Sequence, residues 1–544
     1  YGQLFPTVMT TLATDQWSPD GLVAVAPFPG VVLDPNTSYA VVLTTDLRAE
    51  DNRPILRADA MTRMARGDRP EGPNGDRLID LYSPLWPALD QLGVDRERAA
   101  VASVFTTGDV VADLAELADR AQAEHTVAIE GVHVDPDDGA DHDRYCELIA
   151  HASVPQFQTG APPFHDQGVI ELDPSGAPIV QRYEQVRLVL TVPRTPMPAA
   201  GYPLVTYYHG SGGAPDELVD RGRRDFDQDE PVPGSGPAHV VAEHGIAGFA
   251  PAMPLAPDRL PGASEQEYLN FGNLGAFPST FQQGVIEERL LLDAVVELEI
   301  PAAQLAACDL PTTDSVRFDG TKLLAMGQSM GGMYTNMIAA TDSRIQAAVP
   351  TGAGGFWNWQ LLGTEVVEDI DIILGLLFEA DGEAMEFAHP ALALLALAWE
   401  PAEPMVFMPR VSHRPLAGHP ARSVYQPIGL LDIYFPSYIY DAAVLAYGNQ
   451  LAGDEVWEET RESLALAGLD QIVSYPAHGN RSSEDGTRYT GIAVQYRPDH
   501  TNGHYIYAQL DEVKYQYGCF FASVLANGQG TVPAPAPLGT PCPE

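Results

Sequence analysis

The pentapeptide Gly327-Gln328-Ser329-Met330-Gly331 constrains this chain more than any other feature. It sits between an apolar run at 323–326 and a run of small residues that reads as the start of a helix. A G-x-S-x-G sequence arises often by chance, but in a strand–turn–helix setting it reads as a nucleophile elbow. So tight a turn holds the serine in a strained backbone conformation and leaves room only for glycine on either side. The Ser329 hydroxyl is then exposed at a strand end. The first N–H groups of the next helix, led by that of Met330, face any negative charge that develops beside it.

The surrounding sequence repeats this strand–loop–helix rhythm. Residues 204–208 form an apolar strand that runs into His209-Gly210-Ser211-Gly212-Gly213. "GIAGFAPAMP" reads as a buried strand, 280–298 as a long amphipathic helix and "IQAAVPTG" as a further strand. "SVYQPIGLLD" and "GIAVQYRPDH" supply the last two. Such alternation predicts an α/β fold, a mostly parallel sheet covered on both faces. Strand-like pieces between 126 and 200, such as "QVRLVLTVP", predict antiparallel strands opening that sheet.

Two regions break the rhythm. Residues 1–125 read as a separate β-rich, Ig-like module with helices attached, with strands at 39–44 and 100–106 and a helix at 109–124. The catalytic-type domain would then span 126–544. Within it, 356–415 is helical and unusually apolar. This predicts a helical cap over a substrate pocket, with ordinary core helices as the alternative.

The candidate chemistry follows from chain order. The glycine-rich loop after 204–208 lies where a second oxyanion donor is needed, so the backbone N–H groups of Ser211 and Met330 form the expected pair. His209 reads as a residue that holds the loop's shape. The general base belongs after the last strand, where His504 in "NGHY" is the candidate and His500 its rival. The orienting acid belongs between serine and histidine. Asp432 ends "QPIGLL" and fits that place, whereas Asp441, Asp454 and Asp470 read as helical or surface residues. Tyr208, Phe356 and Trp357, with Tyr207 and Trp359, are candidates for lining an aromatic-accepting pocket or for core packing.

Composition narrows the partners. Seventy-four acidic residues against 30 basic ones give a formal charge of −44, and only Lys322 and Lys514 are lysines. Such a surface repels nucleic acids and anionic membranes, and salty surroundings would screen its self-repulsion. No run of 18 apolar residues exists to span a bilayer. Cys146, Cys308, Cys519 and Cys542 predict two disulfides, Cys146–Cys308 and Cys519–Cys542, in an oxidising compartment. The chain opens at Tyr1 without a methionine, as a processed or trimmed chain would. Asp135, Asp137, Asp138, Asp141 and Asp143 could hold a structural Ca²⁺, but the spacing is not that of an EF-hand, and a solvated acidic loop is the preferred reading.

With "SYAVVLTTDLRAEDNRPI", "VFTTGD", "MPAAGYPLVTYYHGSGG", "MGQSMGG" and "NGHY" in view, the chain resembles bacterial extracellular lipases and esterases of the virulence-factor lipase type. These are α/β-hydrolases with a β-rich N-terminal region. The resemblance implies a secreted or cell-surface enzyme that hydrolyses carboxylic esters through an acyl-serine, without a cofactor. The substrate would be a small-molecule, lipid or polymer ester, polyesters included. A serine peptidase or amidase on the same fold is the alternative, and an inactive binding protein is a third reading that the intact Ser–Asp–His set argues against.

Overall fold

A computed structural model describes residues 2–49, 51–224, 231–312, 314–367, 369–381, 385–499 and 501–543. The alternating half of the sequence builds one ten-stranded sheet. Its strands are β1 (Ile129–Val134), β2 (Tyr145–Gln156), β3 (Arg182–Pro193), β4 (Tyr202–Tyr208), β5 (Ala247–Pro251), β6 (Phe318–Gln328), β7 (Ile345–Thr351), β8 (Ser423–Gly429), β9 (Gln450–Leu451) and β10 (Gly491–Tyr496). In space they run β9-β10-β8-β7-β6-β4-β5-β3-β2-β1. The neighbours from β9 to β5 pair parallel, and β5-β3-β2-β1 pair antiparallel. In the sheet β5 lies between β4 and β3, reversing chain order at that point. Every residue of β4, β5, β8 and β10 is buried, as a parallel sheet covered on both faces requires.

The chain divides into two compact units, residues 1–12 with 21–109 and residues 13–20 with 110–544. In the smaller, Ser38–Thr44 pairs antiparallel with Ala99–Thr106, and Thr7–Thr11 with Val23–Pro27, as two separate two-stranded sheets. Three short helices lie between, and Met61, Met64, Leu85, Trp86 and Leu89 form the core. An Ig-like module packs two sheets of about seven strands face to face. This unit has no such pair among its described residues. The apolar residues of 59–91 recur at helical spacing, so helices fill the place a second sheet would take.

Helix α1 (Val110–Glu124) belongs to the larger unit, so the division falls at Asp109 and not at 125. Its apolar stripe is buried, and Arg289 donates to the Ala115 carbonyl from the long helix α2 (Phe277–Val296). Helix α3 (Met330–Thr341), which follows Ser329, is buried along its whole length. Cys146–Cys308 and Cys519–Cys542 form the two disulfides.

The apolar segment folds into α4 (Trp357–Gly363), α5 (Ile370–Phe378), α6 (Pro390–Trp399) and α7 (Pro404–Val411). Much of it is core. Helix α7 packs on α3, and the Trp357 and Trp399 rings meet Phe277 of α2 at 4.9 and 4.1 Å. The half-buried Glu403 carboxylate accepts from the N–H groups of Phe356, Trp357 and Met405 and so ties the two ends of the segment together. Burial pushes its carboxyl above the usual range. Among the described residues no single helix is long and apolar enough to cross a membrane.

Candidate active site

Ser329 stands at the end of β6 with φ 57° and ψ −125°, a conformation that costs on the order of 1–3 kcal/mol for a residue with a side chain. Its N–H donates to the Thr351 carbonyl at the end of β7, and its own carbonyl accepts from Met333 as α3 begins. The flanking glycines are a steric necessity. A Cβ at Gly331 would overlap the Tyr208 carbonyl oxygen, and one at Gly327 would overlap that of Gly331. The two strands and the helix therefore converge on Ser329 only because these positions carry no side chain.

Asp432 and His504 sit on the loops after β8 and β10. His504 Nδ1 lies 2.9 Å from Asp432 Oδ2, with both side chains buried. Asp432 is fully satisfied. Oδ1 accepts from the N–H groups of Tyr434 at 2.8 Å and Phe435 at 2.9 Å, and Oδ2 also accepts from the Tyr440 hydroxyl. Burial, and then the charge of Asp432, push the Tyr440 phenol well above its ordinary range, so it stays a donor. The Tyr434 ring stacks on the imidazole of His504 at 4.1 Å and 17°. Asn502 Oδ1 accepts from the His504 N–H at 3.0 Å and the Ile433 N–H at 3.4 Å, joining the two loops. They approach so closely that a Cβ at Gly429 would overlap the Gly503 carbonyl oxygen.

The glycine loop after β4 is pinned from behind. His209 is wholly buried, and its Nε2 accepts from the Met253 N–H at 3.0 Å. Nδ1 therefore carries the proton and points at the Gly210 carbonyl, 2.8 Å away. Burial holds this imidazole below its ordinary pKa, which fits a neutral, structural ring. Glu217 Oε2 accepts from the Gly210 N–H at 3.5 Å.

These pieces share one pocket of about 200 Å³, lined by Gly210 to Gly213, Glu217, Arg221, Glu265, Gln328, Ser329, Tyr434, His504 and Tyr505. Sequence reading had placed Ser329, His504 and Ser211 here, and Asp432 lies directly behind His504. The N–H of Met330 opens the helix that follows Ser329. His500 lies outside the described residues.

Three expected pocket residues are elsewhere. Tyr208 is buried in the core, where its phenol responds to burial first and then to Glu288 and Asp342. Trp357 packs among Phe277, Phe281 and Trp399 and donates to the Ala402 carbonyl at 2.7 Å. Phe356 packs on Trp359 and Phe387. Among the described residues, none of 356–415 lines this pocket, and the described part of the segment packs largely as core helices. Tyr207 pairs its hydroxyl with that of Tyr507 inside the core. Asp441 accepts from Trp457 and Thr460, away from His504.

Sequence reading also missed Gln328, Tyr434, Arg221 and Glu217. Gln328 immediately precedes Ser329 and Tyr434 lies two residues after Asp432, and that closeness in sequence was the one available signal. A larger cavity, about 650 Å³, lies by β9 and β10 near Tyr475 and Glu512, and it includes neither Ser329 nor His504. Of the acidic loop, Asp138 comes within 3.8 Å of His142, which pairs with Glu147 at 3.0 Å. These three side chains could converge on a cation.

No family model matches this chain, and no curated protein matches it. Among solved structures, an acetyl xylan esterase from Paenibacillus sp. R4 is 15% identical, with a TM-score of 0.36 over 62% of this chain and 83% of that one. Acetyl xylan esterase 1 from Thermoanaerobacterium sp. JW/SL YS485 is 12% identical, with a TM-score of 0.37 over 72% and 88%. A puromycin-hydrolyzing peptidase from Mycobacterium tuberculosis is 12% identical, with a TM-score of 0.34 over 74% and 52%.

Proposed function

We propose that this chain is a serine hydrolase that cleaves carboxylic esters of small, polar substrates through an acyl-enzyme on Ser329. One observation carries the reading: a serine on a strained elbow opens into the same pocket as a histidine whose far nitrogen is held by a buried carboxylate. In the proposed first half-reaction, His504 Nε2 takes the hydroxyl proton as Ser329 Oγ attacks the ester carbonyl. Asp432 fixes the tautomer by accepting from Nδ1–H and stabilises the imidazolium that results. The tetrahedral oxyanion is received by the N–H groups of Ser211 and Met330. Collapse breaks the C–O bond, and His504 returns its proton to the departing alcohol. Water, deprotonated by His504, then repeats the sequence on the acyl-serine and releases the acid.

The pocket favours compact polar esters over the lipid and polyester substrates that the resemblance implies. Its volume of about 200 Å³ falls below the usual range for small-molecule sites, whose lower end is roughly 300 Å³. Glu217, Arg221, Glu265 and two tyrosines provide most of its side-chain lining. The two disulfides support an oxidising compartment, and we propose secretion or display on the cell surface.

The test is hydrolysis of 4-nitrophenyl esters from acetate to palmitate by the parent and by Ser329→Ala. The expected optimum lies at the short end, with a loss of at least about 10⁴-fold in turnover for the variant. A folded parent that leaves all of these esters intact but cleaves 4-nitroanilides would replace this reading with the amidase one.

A further inference from the structure

Among the described residues lining the pocket, Arg221 is the one permanently cationic side chain, and the proposed reaction makes no use of it. It is held in place. The guanidinium stacks over the Tyr505 ring at 4.9 Å, beside His504, and its side chain is 29% exposed. The contact with Glu217 is loose, 3.5 Å from Nη1 to Oε1. The other oxygen of Glu217 faces the Gly210 N–H at 3.5 Å and the Tyr207 hydroxyl at 3.4 Å, so that carboxylate is shared with the glycine loop. Glu265 is exposed at the pocket's margin.

Burying a guanidinium costs free energy unless it is closely paired, and its planar fork is suited to carboxylates. In a chain with 30 basic residues against 74 acidic ones, a cation beside the nucleophile is a specific placement. We propose that Arg221 selects esters that carry a second, ionised carboxylate close to the scissile bond, binding it by charge-assisted hydrogen bonds within the pocket. This rests on the serine esterase reading above and names its substrate class. The carboxylate could belong to the acyl or to the alcohol portion, and the two need separate probes.

In the acyl arm, mono-4-nitrophenyl succinate is compared with 4-nitrophenyl butyrate. In the alcohol arm, 4-acetoxybenzoate is compared with its methyl ester. The quantity read is the ratio of kcat/KM, anionic over neutral, for the parent, Arg221→Met and Arg221→Lys. The expected result is a parent ratio above one in at least one arm. Arg221→Met should lower that ratio roughly 10- to 100-fold, the range for a hydrogen bond to a charged group, and Arg221→Lys should restore part of it. A parent that prefers the neutral ester in both arms overturns the proposal. So does an Arg221→Met variant that slows both esters equally, which is what a purely structural strut would give. Failure of the parent on every ester is a different result, because it removes the esterase reading itself.

Discussion

Two parts of the larger unit use aromatic side chains for opposite ends. Around Asp432 and His504, the rings of Tyr434, Phe435 and Tyr440 come with polar contacts, and every oxygen of the carboxylate is engaged. Where the segment from 356 to 411 meets α2, Trp357 and Trp399 meet Phe277 edge to face or tilted as one apolar cluster, and their indole N–H groups donate to the Ala402 and Leu274 carbonyls. The first arrangement fixes orientation, and the second supplies burial. Aromatic density alone therefore does not mark a substrate pocket. The polar atoms that accompany it decide its role.

Removing charge from the first region should give the largest effect. Asp432→Asn keeps an oxygen for the Tyr434 and Phe435 N–H groups but no longer enforces the His504 tautomer. Turnover of 4-nitrophenyl acetate should fall on the order of 10⁴-fold, measured beside unchanged circular dichroism. A loss of only a few-fold would mean that another group orients the base. Trp357→Ala tests the second region and should do the reverse. The ring is 1% exposed, so its truncation should cost about 3–5 kcal/mol in denaturant unfolding. Activity per titrated active site should match that of the parent. A specific loss of activity would return this segment to the substrate pocket.

The smallest effect separates the two kinds of buried acid. Burial pushes the Asp441 carboxyl up from 3.8 to about 6, against hydrogen bonds from Thr460 and Trp457 that favour its charged form. With the folded value raised, the stabilising contribution of the protonated form is complete below the unfolded value and is lost as pH rises through about 6. Relative to Asp441→Asn, the parent should lose up to about 3 kcal/mol of stability across that window. Parallel pH–stability curves for the two proteins would show that Asp441 has an ordinary titration.

The legible parts of the molecule were those in which local sequence and geometry are the same constraint. The elbow could be read because Gly327 and Gly331 have no substitute beside Ser329. The meeting of Asp432 and His504 could be expected because each follows the end of a particular strand, Asp432 after β8 and His504 after β10. Periodicity gave the paired strands 38–44 and 99–106 to within a residue. What escaped depends on long-range packing. The direction in which Tyr208 points from β4 is set by the two faces of a sheet still to be formed, and alternation does not say which face meets the pocket. The apolar helices of 356–411 look alike whether they cover a ligand or α2 and α3. The helix at 110–124 has the same stripe whichever unit receives it. Arg221 carried no motif at all, since its meaning comes from Tyr505, nearly 300 residues away in sequence.

The single amide of Asn502, accepting from both His504 and Ile433, makes the base and the acid passengers on one carriage. A ligand that moves the imidazole would therefore carry the Asp432 loop with it, and the two side chains would shift as a pair, not apart.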